Sequence, residues 1–362
     1  MNSETDLRLS NLFKYPPLSV VKNQGNPALV YRGDTEIPPG IVGIEIEAEG
    51  ISYNLLVPAE KMKEFDIFWF SKEERSLRDK GREFVTYPLW GDDVPRALQV
   101  LLDYEAVALK TKMKFNDRTG IHVHMNVQDF FVSEILSFYS VFALFERDLL
   151  SLSGGREDNI FCLPLKDSVS GMRELHQYFS SATWESVGAV LAGGSKYLGL
   201  NYKNVPTLGT IEFRQMAGTH DFSKIVDWVN LILRMRGFVK SQYFPLLENR
   251  IFELNSDSTY LQFAEEVFKE QVKLFTPSVL PKNMAKAVSL IKTWAVSPQN
   301  LYVQDRKKAE NAPVKKSLVG IRRDFFDFQM RIAGVDGDLI NVRNRGDNQP
   351  EAGIIPRNGE NF

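Results

Sequence analysis

The chain has 362 residues, 43% of them hydrophobic and 25% charged, with a formal net charge of −2. That length holds a full core and more than one domain-sized unit, and the near-neutral balance gives no global electrostatic case for nucleic acid or an anionic membrane. Cys162 is the only cysteine, which excludes an internal disulfide and fits a reducing, cytoplasmic compartment; the polar start Met1-Asn2-Ser3-Glu4 has no basic segment leading into an apolar one, so no signal peptide is read.

Residues 1–39 carry scattered prolines and glycines without a sustained period and read as an irregular arm. Pro38-Pro39-Gly40 then delivers the chain into Gly43-Ile44-Glu45-Ile46-Glu47-Ala48-Glu49. On a strand this alternation puts Ile44, Ile46 and Ala48 on one face and Glu45, Glu47 and Glu49 on the other. Three like charges on one face disfavour burial, so the row must either meet water or surround cations.

Short apolar runs between residues 51 and 70 are expected to add strand and turn, and residues 81–86, Gly-Arg-Glu-Phe-Val-Thr, form a second acid-bearing strand around Glu83. Residues 92–111 have helical spacing in Val94, Leu98, Leu101, Leu102, Ala106 and Leu109. Residues 120–127 alternate again, with His122, His124 and Asn126 opposite Ile121, Val123 and Met125. Long helices are expected over residues 133–153, stopped by Gly154-Gly155, and from Asp221 or Ser223 to about 238; charges inside both argue against membrane spans. A shorter helix is expected over 169–179, where His176 reads as a solvated position. Between the long helices a third strand, residues 209–216, sets Glu212 and Arg214 on one face and Ile211 and Phe213 on the other. Residues 259–275 and 281–294 read as amphipathic helices of a C-terminal region spanning 241–340, and residues 341–362 as a flexible tail. Lys and Arg between residues 306 and 323 read as a solvated face.

Together the strands supply four acids (Glu45, Glu47, Glu83, Glu212), two histidines (His122, His124) and Arg214, each backed by an apolar face. Brought onto one concave surface, they form a site for two or more hard divalent cations. Carboxylates suit Mg²⁺, and the histidines tilt the set toward Mn²⁺. Cations of this kind bridge substrate phosphates, and Arg214 is the group expected on a transferring phosphoryl. Neither a Walker-type loop nor a Gly-x-Gly-x-x-Gly turn is present, so nucleotide must be held through metals and cationic side chains.

These motifs carry a resemblance. Gly43-Ile44-Glu45-Ile46-Glu47, Ser76-Leu77-Arg78 with the strand around Glu83, Arg118-Thr119-Gly120-Ile121-His122-Val123-His124 and Gly209-Thr210-Ile211-Glu212-Phe213-Arg214 occur in the order seen in the amidoligase family. That family belongs to the glutamine synthetase and glutamate–cysteine ligase superfamily of carboxylate–amine ligases. The resemblance covers about residues 40–240 and implies an α+β fold: a curved antiparallel sheet with helices on its outer face and the site in the concavity, followed by a smaller helical C-terminal region. It implies Glu45, Glu47, Glu83, His122 and Glu212 as metal ligands, His124 on nucleotide phosphate, and Arg214 on the γ-phosphoryl or acyl-phosphate. Glu212, His124 and Arg214 are thereby the catalytic set, and Lys196, Asn201 and Arg156 are further substrate or phosphate contacts. One departure stands out: where family members carry an acid followed by Gly or Asn just before Ser-Leu-Arg, this chain has Glu74-Arg75.

The implied activity is an ATP-dependent ligase that joins a small-molecule or peptide carboxylate to an amine through an acyl-phosphate with Mg²⁺ or Mn²⁺; no membrane partner is expected, and nucleic acid is not indicated. Two other readings use the same residues. A metal-dependent hydrolase or phosphotransferase needs only an activated water beside one substrate. A non-catalytic scaffold or assembly protein could retain the ligase fold and dock through its C-terminal part.

Overall fold

A computed structural model describes residues 9–15, 40–154, 197–242 and 244–274, with 156, 159 and 162–165. Lys196, His176, the expected helices at 169–179 and 281–294, the basic stretch and the tail lie outside the described residues. Within them, seven strands form one antiparallel sheet that does not close. Its strands are β1 (Ile41–Ala48), β2 (Trp69–Glu73), β3 (Arg82–Thr86), β4 (Leu89–Trp90), β5 (Gly120–Asn126), β6 (Leu200–Asn201) and β7 (Thr210–Ala217). The order is β2-β3-β1-β5-β7-β6, with β4 pairing the start of β1. The alternation read from the sequence holds on β1, where Ile44, Ile46 and Ala48 are fully buried.

Helices cover this apolar face. A short helix α1 (Leu9–Leu12) docks through backbone bonds from Leu9 N–H to Phe130 O (2.7 Å) and from Ser10 N–H to Gln128 O (2.9 Å). Next in the chain, α2 (Ala59–Phe68) occupies a stretch expected to be strand and turn. Pro58 presets its start, and Phe65 and Phe68 share one face at a three-residue step. Both are buried, and Phe65 stacks on Tyr104 at 4.0 Å between centroids. Only Trp69–Glu73 of that region pairs into the sheet. The apolar runs were therefore split between two periods, which short apolar segments do not disclose alone.

The expected helix at 92–111 is α3 (Val94–Ala108), whose buried stripe takes in Val94, Leu98, Leu101 and Ala108 while Ala106 faces water. The two long helices are α4 (Val132–Leu152) and α5 (Phe222–Lys240). Phe213, on the back of β7, meets Phe138 and Phe142 of α4 and Trp228 of α5 at 5.8, 5.9 and 6.4 Å. This aromatic cluster fixes the strand that carries Glu212 and Arg214 to both helices.

Beyond α5, α6 (Phe244–Phe252) and α7 (Asp257–Phe268) lead into a 3-10 turn at Lys269–Leu274. Ser256 caps α7 by accepting the Thr259 N–H at 3.2 Å. Phe145 of α4 lies 5.1 Å from Tyr260, 6.0 Å from Phe263 and 4.9 Å from Phe268, and the Tyr260 hydroxyl donates to the Asp148 carboxylate. These helices thus extend the core under the sheet. No helix among the described residues is long and apolar enough to cross a membrane. Phe145→Ala is expected to cost about 3–5 kcal/mol of stability in urea unfolding; a loss below about 1 kcal/mol would show that residues 244–274 do not share this core.

Candidate functional site

Cross-strand register converts the three sequence clusters into one row. Lys72 stands opposite Glu83, Glu83 opposite Glu47, Glu45 opposite His122, His124 opposite Glu212, and Glu212 opposite Asn201. Cross-strand partners share a sheet face, so the polar side chains of β2, β3, β1, β5, β7 and β6 face the same way. Every sequence-predicted site residue among the described ones lies in this row or against it.

Two donor groups emerge, each with its ligand atoms within 4.8 Å of one another: Glu45, Glu83 and His122, and Glu45, His124 and Glu212. Glu45 belongs to both, with Oε2 3.2 Å from His122 Nδ1 and Oε1 3.3 Å from His124 Nε2. Glu47, expected as a ligand, falls in neither group. Its Oε2 accepts the Gly120 N–H at 2.9 Å and lies 3.8 Å from His122 Nε2. His124, expected on phosphate, stands in the second group. Its Nδ1 is 3.1 Å from the Thr210 hydroxyl, while its buried Nε2 makes no directed hydrogen bond. Burial disfavours the charged imidazole, but Glu45 beside Nε2 raises the His124 pKa overall, so a cation bound there would take the place of a proton on Nε2 while Thr210 holds Nδ1. The donor set, carboxylate oxygens with imidazole nitrogens, therefore fits a hard divalent cation.

Electrostatics agree. Burial, then repulsion from Glu45, pushes Glu83 well above the usual carboxylate range, and Lys72 only partly offsets it. Burial acts in the same direction on Glu45, but His124 and His122 pull it well below. Lys72, which forms an ion pair with Glu83, is a site residue the sequence reading did not single out. Its signal is the register: it projects toward Glu83 only because β2 pairs β3 with Lys72 and Glu83 as partners.

The arginines enter from the β7 side. Arg214 Nη1 donates to Glu212 and lies 3.5 Å from His122 Nδ1. Asn201 and Asn204 donate to the other Glu212 oxygen at 2.7 and 3.3 Å. Between Ile121 and Val123 the β5–β7 register slips, so Arg214 and Gln215 together oppose His122. This bulge turns backbone carbonyls outward, and Arg156 Nη1 donates to Arg214 O at 3.2 Å and Met216 O at 3.3 Å. Cys162, which no motif flagged, is buried near both arginines, and burial pushes its thiol up to about 12.

Glu49, third acid of the β1 row, serves the loops. Its two oxygens accept the Arg78 N–H and the Asn116 side-chain amide, both at 2.7 Å. In the departure at Glu74-Arg75, the Glu74 side chain accepts the Ser76 N–H at 3.0 Å and its carbonyl the Leu77 N–H at 3.2 Å, which forms the turn without glycine. The left-handed residues fall later, at Asp79 and Lys80.

Gly120 leaves the space Arg156 uses: a Cβ there would meet Arg156 Nη1 at 2.3 Å. Gly120→Ala must displace the guanidinium from the bulge, losing hydrogen bonds of a charged donor worth about 1.5–3 kcal/mol. In a double-mutant cycle read by urea unfolding, Gly120→Ala is expected to cost much less in an Arg156→Ala background than alone; additive costs would contradict this coupling.

No curated protein matches the chain. Residues 70–236 match the family described as Putative amidoligase enzyme. This span, under half of the chain, holds Glu83, His122, His124, Glu212 and Arg214 and leaves Glu45 and Glu47 of β1 outside it. The similarity supports a function of ligase type.

Proposed function

We propose that the chain is an ATP-dependent carboxylate–amine ligase of the glutamine synthetase-like superfamily, working through an acyl-phosphate with Mg²⁺ or Mn²⁺. The observation that carries this reading is the pair of donor groups sharing Glu45, with Arg214 beside them, inside a sheet most of which matches an amidoligase family. Bound divalent cations would neutralise phosphate oxygens and hold the γ-phosphoryl in line with the attacking carboxylate. Glu45, Glu83 and His122 would hold one, and Glu45, His124 and Glu212 the other.

The remaining side chains have separable tasks. Arg214, fixed by Glu212, presents a guanidinium to the charge that builds on the transferring phosphoryl and then on the acyl-phosphate. Arg156 positions it by bonding the carbonyls of the bulge. Asn201 and Asn204 hold Glu212 from behind. Lys72 faces Glu83 from the edge strand and is placed to meet a substrate carboxylate. In the reaction, the carboxylate oxygen attacks the γ-phosphorus and ADP leaves. The amine nitrogen then attacks the acyl carbon, and phosphate leaves as the amide forms. The substrates in this reading are a small-molecule or peptide carboxylate and an amine.

With Mg²⁺ or Mn²⁺ and a pool of amino acids and polyamines, ADP release is expected to depend on one amine in the pool. Arg214→Ala is expected to lower it by about 10²-fold or more, the scale of losing a transition-state charge contact. ADP release equal with and without every amine would favour a hydrolase. No metal-dependent release under any condition would remove the ligase reading.

A further inference from the structure

The charged row occupies only part of the site face. Along β1, Glu45, Gly43 and Ile41 follow at two-residue steps on one side of the strand, and Ile41 pairs with Trp90 of β4. One strand over, Val85 stands opposite Glu45 and opposite Phe70 of β2. Tyr87, two residues past Val85, brings its ring to 5.5 Å from Phe70 at an interplanar angle of 48°. These side chains are partly exposed, Trp90 at 43%. Their neighbours Val42, Ile44, Phe84 and Leu89 point the other way and are fully buried.

A strip of aromatic surface therefore begins where the acids end. Its floor is Gly43, where a Cβ would meet only His124 Cβ at 3.7 Å, so no side chain separates the strip from the donor group of Glu45 and His124. From Glu45 the strip starts one two-residue step away, about 7 Å, and reaches Ile41 and Trp90 after two. Rings partly open to solvent beside a row proposed to bind phosphate are what a nucleobase stacks on, since every base offers a π-face and the ribose spans the step to the phosphates.

We propose that Phe70, Tyr87 and Trp90 form the platform for the purine base of the nucleoside triphosphate, whose phosphates lie toward Glu45 and Arg214. This inference rests on the nucleotide-dependent reaction proposed above. It adds that the chain recognises the nucleotide by stacking and not by a phosphate loop. It also places the acid and the amine beyond the polar row, on the side of Lys72 and Glu47.

The test compares Mg²⁺-ATP with Mg²⁺-tripolyphosphate, which carries the phosphates without the base, by calorimetric titration of the full chain. Phe70→Ala and Trp90→Ala serve as variants, with circular dichroism confirming that each folds. The wild type is expected to bind ATP at least about tenfold tighter than tripolyphosphate, and each variant to lose most of that preference while its tripolyphosphate affinity stays within about twofold. Equal wild-type affinity for the two ligands, or an ATP preference unchanged in both variants, overturns the platform and leaves the phosphate site standing. Binding of neither ligand overturns the nucleotide reading and the platform with it.

Discussion

Repulsion among Glu45, Glu47 and Glu83 is the constraint to which the rest of the structure answers. The β1–β3 ladder sets Glu47 directly opposite Glu83, and alternation along β1 puts Glu45 on the same face. Like charges opposite one another destabilise a sheet, and these carboxylates are largely removed from water. The fold meets this from three sides. Lys72 comes from β2, the imidazoles of His122 and His124 from β5, and Arg214 binds Glu212 on β7. The Gly120 amide takes one oxygen of Glu47, and the loops engage Glu49. A structural protein has little use for such an arrangement, because replacing buried ionic groups with well-packed apolar residues is often neutral or stabilising.

Holding this face rigid falls to the opposite one. Ile44, Ile46, Val123 and Phe213 are fully buried beneath the row, so a slip of one residue in any strand would carry its acid or histidine into the helices. Register and site geometry are one property here. The β5–β7 ladder departs from regularity at the bulge between Ile121 and Val123, and that is where Arg214 enters. Arg156 spans the bulge and Gly120 makes room for it, so two residues distant in sequence hold the backbone that carries the Arg214 guanidinium.

Much of this was legible in the order of the residues. Two-residue alternation at Glu45-Ile46-Glu47, His122-Val123-His124 and Glu212-Phe213-Arg214 declared which side chains share a face, because strand geometry leaves no other option. It did not declare which strands are neighbours. Lys72 therefore looked like any surface lysine, and the grouping of His124 with Glu45 and Glu212 was invisible until pairing set them side by side. The bulge has no sequence mark, since neither Arg214 nor Gln215 is a residue that favours one. The helix at Ala59–Phe68 differs from the expected strand and turn because its apolar residues form short runs that also suit a strand, and Phe65 packs on Tyr104 from a helical face. Glu74 shows the reverse: with Arg75 where family members carry Gly or Asn, its side chain accepts the Ser76 N–H within the turn.

The central claim is that one sheet face holds two cation sites joined by Glu45, and Mn²⁺ binding followed by electron paramagnetic resonance tests it most directly. The account predicts saturable binding of about two ions per chain, one for each donor group. Glu45→Gln should weaken both, Glu83→Gln only the first and His124→Ala only the second. Absence of saturable binding at millimolar Mn²⁺, or a Glu45→Gln chain that still binds both ions as the wild type does, would contradict it.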